Sequence, residues 1–209
     1  MIGINLEVDG EVKEFNLPEN WSEVSVDNFC RIWEFDKNDM TTIEFATRII
    51  SSFTDMDESL IMAMNYEDFQ KLVNILNFTT EEFVPEKDVD SVELGDEIYY
   101  IKKDFNQLTM GEVISIETIM GDANGNIYKV MDKLLCIFLR QKKENGSLET
   151  FQPHMMERRW KFRHIPISKV FTLFSFFLTG KNILENNINP SLENQPKKNR
   201  KQRRVDLKK

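Results

Sequence analysis

The first 17 residues alternate: Ile2, Ile4, Leu6 and Val8 point one way, and after Asp9-Gly10 the apolar set resumes at Val12, Phe15 and Leu17. A period of two broken by Asp-Gly predicts a β-hairpin. Beyond Pro18 the period changes to that of a helix. Ser25 stands where it can cap a helix carrying Val26, Phe29, Cys30, Ile32 and Trp33. Thr41 with Glu44 is a capping box in front of Ile43, Phe45, Ala46, Ile49, Ile50 and Phe53. Asp55 with Glu58, and Asn65 with Asp68, read as two further starts, so residues 25–78 are expected to form four short helices.

Residues 79–90, "TTEEFVPEKDVD", keep no period and contain Pro85, which marks them as a boundary or long connection. A second hairpin is expected at Gly95-Asp96, between "SVEL" and "EIYYI". Thr109 and Glu112 form another capping box, with Leu108 and Val113 placed as a hydrophobic staple, and the helix runs to about Met120. After the Gly-Asn loop 121–126, one face of a helix carries Ile127, Val130, Met131, Leu134, Leu135, Phe138 and Leu139. Residues 142–147 are a polar turn, and 148–164 are mixed.

The most apolar run is "PISKVFTLFSFFLTG", Pro166 to Gly180. A helix needs roughly 20 apolar residues to span a bilayer, and this run is shorter and carries Lys169, Thr172, Ser175 and Thr179 along one stripe. It is read as a globular helix over residues 165–179, entered at Pro166 and ended at Gly180. Its aromatic face, represented by Phe171, Phe174, Phe177 and Leu178, is either internal core or a surface that meets a partner. The expected fold is therefore α+β, mainly helical with two short β-hairpins, in units 1–84 and 85–184, followed by a disordered basic tail from 185 to 209.

Charge sharpens the division. Residues 190–209 carry eight Lys and Arg against Glu193 and Asp206, a net +6, which leaves −14 on residues 1–189 of a chain whose total is −8. Such asymmetry points to an electrostatic partner. Lys197, Lys198, Arg200, Lys201, Arg203 and Arg204 could neutralise phosphates or an acidic protein surface, the chain's own included. The segment "ERRWKFRH" interleaves Arg158, Arg159, Lys161 and Arg163 with Trp160 and Phe162, the composition of a base-stacking, phosphate-tracking surface and equally of a half-buried strand beside an acidic body.

Chemistry adds little to this. Asp122, Asn124 and Asn126 alternate as in a calcium loop, but Gly125 is displaced and Lys133 stands at the twelfth position. Asp55, Asp57 and Glu58 suit a helix N-terminus better than a cation. His154 and His164, with Glu157 between them, have no cysteine ligands near in sequence. There is no P-loop and no dinucleotide fingerprint, so an enzyme is the minority reading and no cofactor is expected. Cys30 and Cys136 lie in apolar segments and are expected to be buried thiols of a reducing, cytoplasmic compartment. The N-terminus has neither a basic region nor an unbroken apolar core, unlike a secretory signal.

The order "NLPENWSEVSVDNF", "FTDMDESLIMAMNYEDFQKLVNIL", "YYIKKDFNQLTMGEVISIE" resembles the layout of bacteriophage tail assembly chaperones, over about residues 1–180. The resemblance implies a non-enzymatic protein that keeps a long helical tape-measure protein in solution while the tail tube forms. That family shares no binding motif, so no functional residue carries over, and the larger size and basic tail depart from its smaller members. Ten methionines fit such a role, because thioether side chains repack around varied partners, although they also fill cores. The alternative is a nucleic-acid-binding accessory protein that uses "ERRWKFRH" and the tail.

Overall fold

The alternating start of the chain pairs with itself as β1 (Ile2–Val8) and β2 (Glu11–Leu17), antiparallel, from Ile2 opposite Leu17 to Val8 opposite Glu11. Asp9 and Gly10, the expected reversal, lie outside the described residues. Those are 1–8, 11–34, 40–81, 83–87, 89–104 and 107–173 of this computed structural model.

Four helices follow: α1 (Val26–Ile32), α2 (Thr42–Thr54), α3 (Glu58–Ala63) and α4 (Tyr66–Ile75). Ser25 caps α1, Asn65 caps α4, and Thr41 and Glu44 close the reciprocal capping box of α2. The start of α3 differs from expectation. Asp55 ends α2 in the left-handed conformation (φ 55°), and Asp57 caps α3 by accepting from the Ser59 N–H. An aspartate tolerates that conformation better than most side chains, so one acid closes a helix and the next opens another.

All described residues, those of the aperiodic stretch 79–90 included, fall within one compact unit. Across the expected 84/85 division Phe83 meets Phe171, while Glu86 is tied to Ser168 and Thr172 on its own side of it. The Glu86 N–H donates to the Ser168 carbonyl at 3.0 Å, Ser168 Oγ donates to Glu86 Oε1 at 2.8 Å, and Thr172 Oγ1 donates to the Glu86 carbonyl at 3.0 Å. Phe83 beside it packs edge-on against both Trp21 and Phe171. An aperiodic segment can still be anchored by contacts distant in sequence, which periodicity does not report.

The second hairpin joins β3 (Ser91–Leu94) to β4 (Glu97–Ile101), and Gly95 takes the positive φ of 61° that its turn requires. It is larger than expected. A two-residue strand, β5 (Leu139–Arg140), pairs with Tyr100 and Ile101 to make a three-stranded sheet. The expected helix over 127–139 is accordingly divided into a 3-10 turn (Ile127–Val130), α6 (Met131–Phe138) and β5. Before it, α5 (Met110–Asp122) starts at the predicted Thr109–Glu112 capping box.

The core is built around α6, whose Leu134 to Phe138 are fully buried. The strand-like alternation of "ERRWKFRH" proves to be helical: a 3-10 turn (Pro153–Arg158) leads into α7 (Arg159–Phe162), and residues 167–173 form a further helical segment. The chain entering that segment docks on the start of α1. The Val26 and Asp27 N–H groups donate to the Ile165 and Arg163 carbonyls at 2.9 and 3.0 Å, and the Ile167 N–H donates to Val24 at 2.8 Å. Two amides that a helix start leaves unpaired are thereby satisfied. The architecture is α+β and mainly helical, with antiparallel sheets of two and three strands.

Candidate protein-interaction site

A helical turn spreads "ERRWKFRH" around an axis, and its residues meet different fates. Phe162 is fully buried, with its ring edge-on to Tyr99 at 4.9 Å, whereas Trp160 remains 66% exposed. Every cation of the segment finds a carboxylate of the body. Arg158 forks onto Glu149, with Nη2 3.1 Å from Oε2. Lys161 pairs with Glu97 at 2.5 Å, and Arg159 with Asp132 at 2.5 Å. Arg163 lies 2.9 Å from Asp132 and 3.2 Å from Asp27. The guanidiniums of Arg163 and Arg159 stand 4.7 and 5.7 Å from the Trp160 ring.

The electrostatics agree with that pairing. Lys161, then Tyr99, hold Glu97 below the usual carboxylate value. Burial pushes Glu149 up, but the hydrogen bonds from Arg158 and the Gln141 N–H outweigh it and leave the group lowered. Asp132 is 97% covered and shared by two arginines. Each of the segment's four cations thus has a carboxylate of the body beside it.

A second ionic cluster joins the start of α5 to Arg140 of β5 and to Lys102, the residue after β4. Glu112 accepts from Lys102 Nζ at 2.8 and 3.0 Å, from Arg140 Nη2 at 3.1 Å and from the Thr109 N–H at 2.7 Å. Arg140 is also held by the Cys136 carbonyl at 2.6 Å, and its guanidinium stands 5.1 Å from the Phe151 ring. This is a helix-capping acid used a second time as the counter-charge of a buried arginine.

The third cluster contains the one partner-binding candidate of the aromatic helix that is described. Phe171 meets Phe83 at 4.5 Å, Phe29 at 6.0 Å and Tyr128 at 6.3 Å, the last nearly parallel. Tyr128 stacks on Trp33 at 4.6 Å, and Trp21 lies edge-on to Phe29, Phe78 and Phe83. Phe29 and Phe78 are buried, whereas Trp21, Trp33, Phe83, Tyr128 and Phe171 are half-buried. The result is an aromatic wall in which Phe29 and Phe78 are buried and the other rings keep part of their surface exposed. The other candidates, Phe174, Phe177, Leu178, Lys197, Lys198, Arg200, Lys201, Arg203 and Arg204, lie outside the described residues. Sequence reasoning passed over Phe83 and Tyr128 because one sits in an aperiodic stretch and the other in a 3-10 turn.

The remaining polar groups serve the fold. A cleft of about 310 Å³ is lined by Asp27, Arg31, Glu34, Ser51, Ser52 and Arg163. Its charges pair across it, with Asp27 3.2 Å from both Arg31 and Arg163. Asn126 caps the turn at Tyr128, with Asn124 and Gly125 at positive φ before it. His154 and His164 are exposed, and no three His, Cys, Asp or Glu side chains among the described residues are grouped to hold a metal ion.

Both cysteines are buried and free. Burial, reinforced by Asp132, pushes both the Cys30 and Cys136 thiols up to about 12. Since the thiolate is the nucleophile, iodoacetamide at neutral pH should label neither cysteine in the native protein and both in denaturant. Fast native labelling would show that α1 and α6 open readily.

Among the described residues no helix is long and apolar enough to cross a membrane. Comparison with protein families, curated proteins and solved structures finds no match to any of them.

Proposed function

We propose that this chain acts by binding protein, as a non-enzymatic assembly factor of the phage tail-assembly-chaperone type, working in the host cytoplasm. The observation that carries the reading is the aromatic wall of Trp33, Phe83, Tyr128 and Phe171. These rings pack against one another and keep part of their surface exposed. Rigid aromatic groups of this kind bury large area at small entropic cost and anchor amphipathic helices. The methionines divide between the two expected roles. Met56, Met120, Met131 and Met155 fill the core, and Met62 and Met110 stand at the surface.

The nucleic-acid alternative is weakened at residues 158–163 by the ion pairs those residues already make. It keeps a direct test. Binding of a single-stranded oligonucleotide that falls steeply with salt and disappears on deletion of residues 190–209 would favour it.

The proposal is tested by co-expression with a phage tape-measure protein, a long helical client. The wild type should keep that client in the soluble fraction, and Phe171→Ala combined with Tyr128→Ala should lose most of that capacity while the variant itself stays folded. A client that remains insoluble with the wild type, or is held equally by the double variant, overturns the reading.

A further inference from the structure

We infer that the surface shared by α2, α3 and α4 docks a basic amphipathic helix of a partner protein. The inference rests on the reading that the chain acts by binding protein, but it concerns a different face. Ile43, Met62 and Tyr66, on three successive helices, are 55%, 64% and 67% exposed. Thr47 ties two of them together: its hydroxyl donates to the Ile43 carbonyl at 2.9 Å and approaches Met62 Sδ at 3.8 Å. Met62 therefore lies over the first turns of α2, and Tyr66 opens α4 four residues later.

The charge around this apolar centre states what covers it. Residues 41–72 contain six carboxylates and two cations, Arg48 and Lys71. Glu44 follows Ile43 in α2, Glu58 lies one turn before Met62 in α3, and Glu67 follows Tyr66; all three are exposed. With Glu58 3.9 Å from Arg48, Glu67 3.2 Å from Lys71 and Glu44 in its capping box, the rim keeps an excess of carboxylates over cations. An acidic rim repels nucleic acid and anionic lipid headgroups, and it complements lysine or arginine flanking an apolar helical stripe. Methionine at the centre suits such a helix because its side chain adapts to the ridge it receives. A helix laid in this position would present apolar residues at i, i+3, i+4 and i+7 to Ile43, Met62 and Tyr66, and its cations to the three glutamates.

The test titrates the full chain, by calorimetry, with a synthetic helix of about four turns whose leucines follow that spacing and whose other positions are lysine. A second peptide replaces lysine by glutamate. The wild type should bind the lysine peptide, more weakly as salt is added, and should not bind the glutamate peptide. Met62→Ser with Tyr66→Ser should weaken binding about tenfold or more. Glu58→Lys with Glu67→Lys should exchange the preference between the two peptides. Unchanged affinity in the Met62/Tyr66 variant, or equal binding of both peptides by the wild type, overturns the inference. Self-association of the free chain that the Met62/Tyr66 variant abolishes would assign the face to a second copy and also overturns it. If Phe171→Ala with Tyr128→Ala removes binding while the Met62/Tyr66 variant retains it, the peptide sits on the aromatic wall: this inference fails and the proposed function stands.

Discussion

Glu112→Ala is expected to destabilise the protein by about 3–5 kcal/mol, the typical cost of stripping the counter-charge from a buried ion. The side chain is 98% covered, and its removal leaves Arg140, 99% covered, without its carboxylate. It also leaves Lys102 short of an acceptor and uncaps α5. A loss of that size is a large share of the stability of an ordinary domain. Glu112→Leu with Arg140→Met should recover much of it, because the cost lies in the orphaned charge rather than in the absence of a salt bridge. Chemical denaturation of the three proteins decides the matter. A loss below about 1 kcal/mol for Glu112→Ala would mean that water reaches Arg140.

The same group shapes the response to acid. Burial alone would raise the Glu112 pKa, but Lys102, the Thr109 N–H and Arg140 outweigh it, and the folded value is lowered. A lowered folded value means that the stabilisation is complete above the unfolded value of about 4.3 and is lost as pH falls through the folded one. Glu149 behaves in the same sense. Melting temperature should therefore hold on the neutral side and fall below about pH 4, and Glu112→Gln should remove part of that acid slope. A slope identical to the wild type's would place the acid-sensitive groups elsewhere.

Phe162→Ala is the second large effect, at about 3–5 kcal/mol from lost transfer energy and the cavity left behind. Its neighbour two positions earlier should behave in the opposite way. Trp160 is 66% exposed, so Trp160→Ala should stay within about 0.5 kcal/mol of the wild type. The pair separates two views of "ERRWKFRH". A nucleic-acid surface would expose both rings for stacking, whereas an amphipathic turn buries one and shows the other. Equal, small effects would mean that α7 does not pack on Tyr99 and the core as found here.

Local rules account for most of what was legible in the sequence alone. The capping boxes at Thr41–Glu44 and Thr109–Glu112, the caps at Ser25 and Asn65 and the Gly95 turn all form as read, because each is decided by atoms within four residues. The mainly helical α+β character follows from them. Tertiary structure decided the rest. Leu139 continues the apolar run of α6, yet with Arg140 it forms a strand paired to the edge of β4. Glu112 is readable as a cap, but its second role depends on Lys102 and Arg140, 10 and 28 residues away. The same holds for Phe83 against Phe171 and for Arg163 against Asp27. No spacing rule reaches across such separations, since which side chains meet is set by how the finished helices pack, and that is where the candidate surfaces arise.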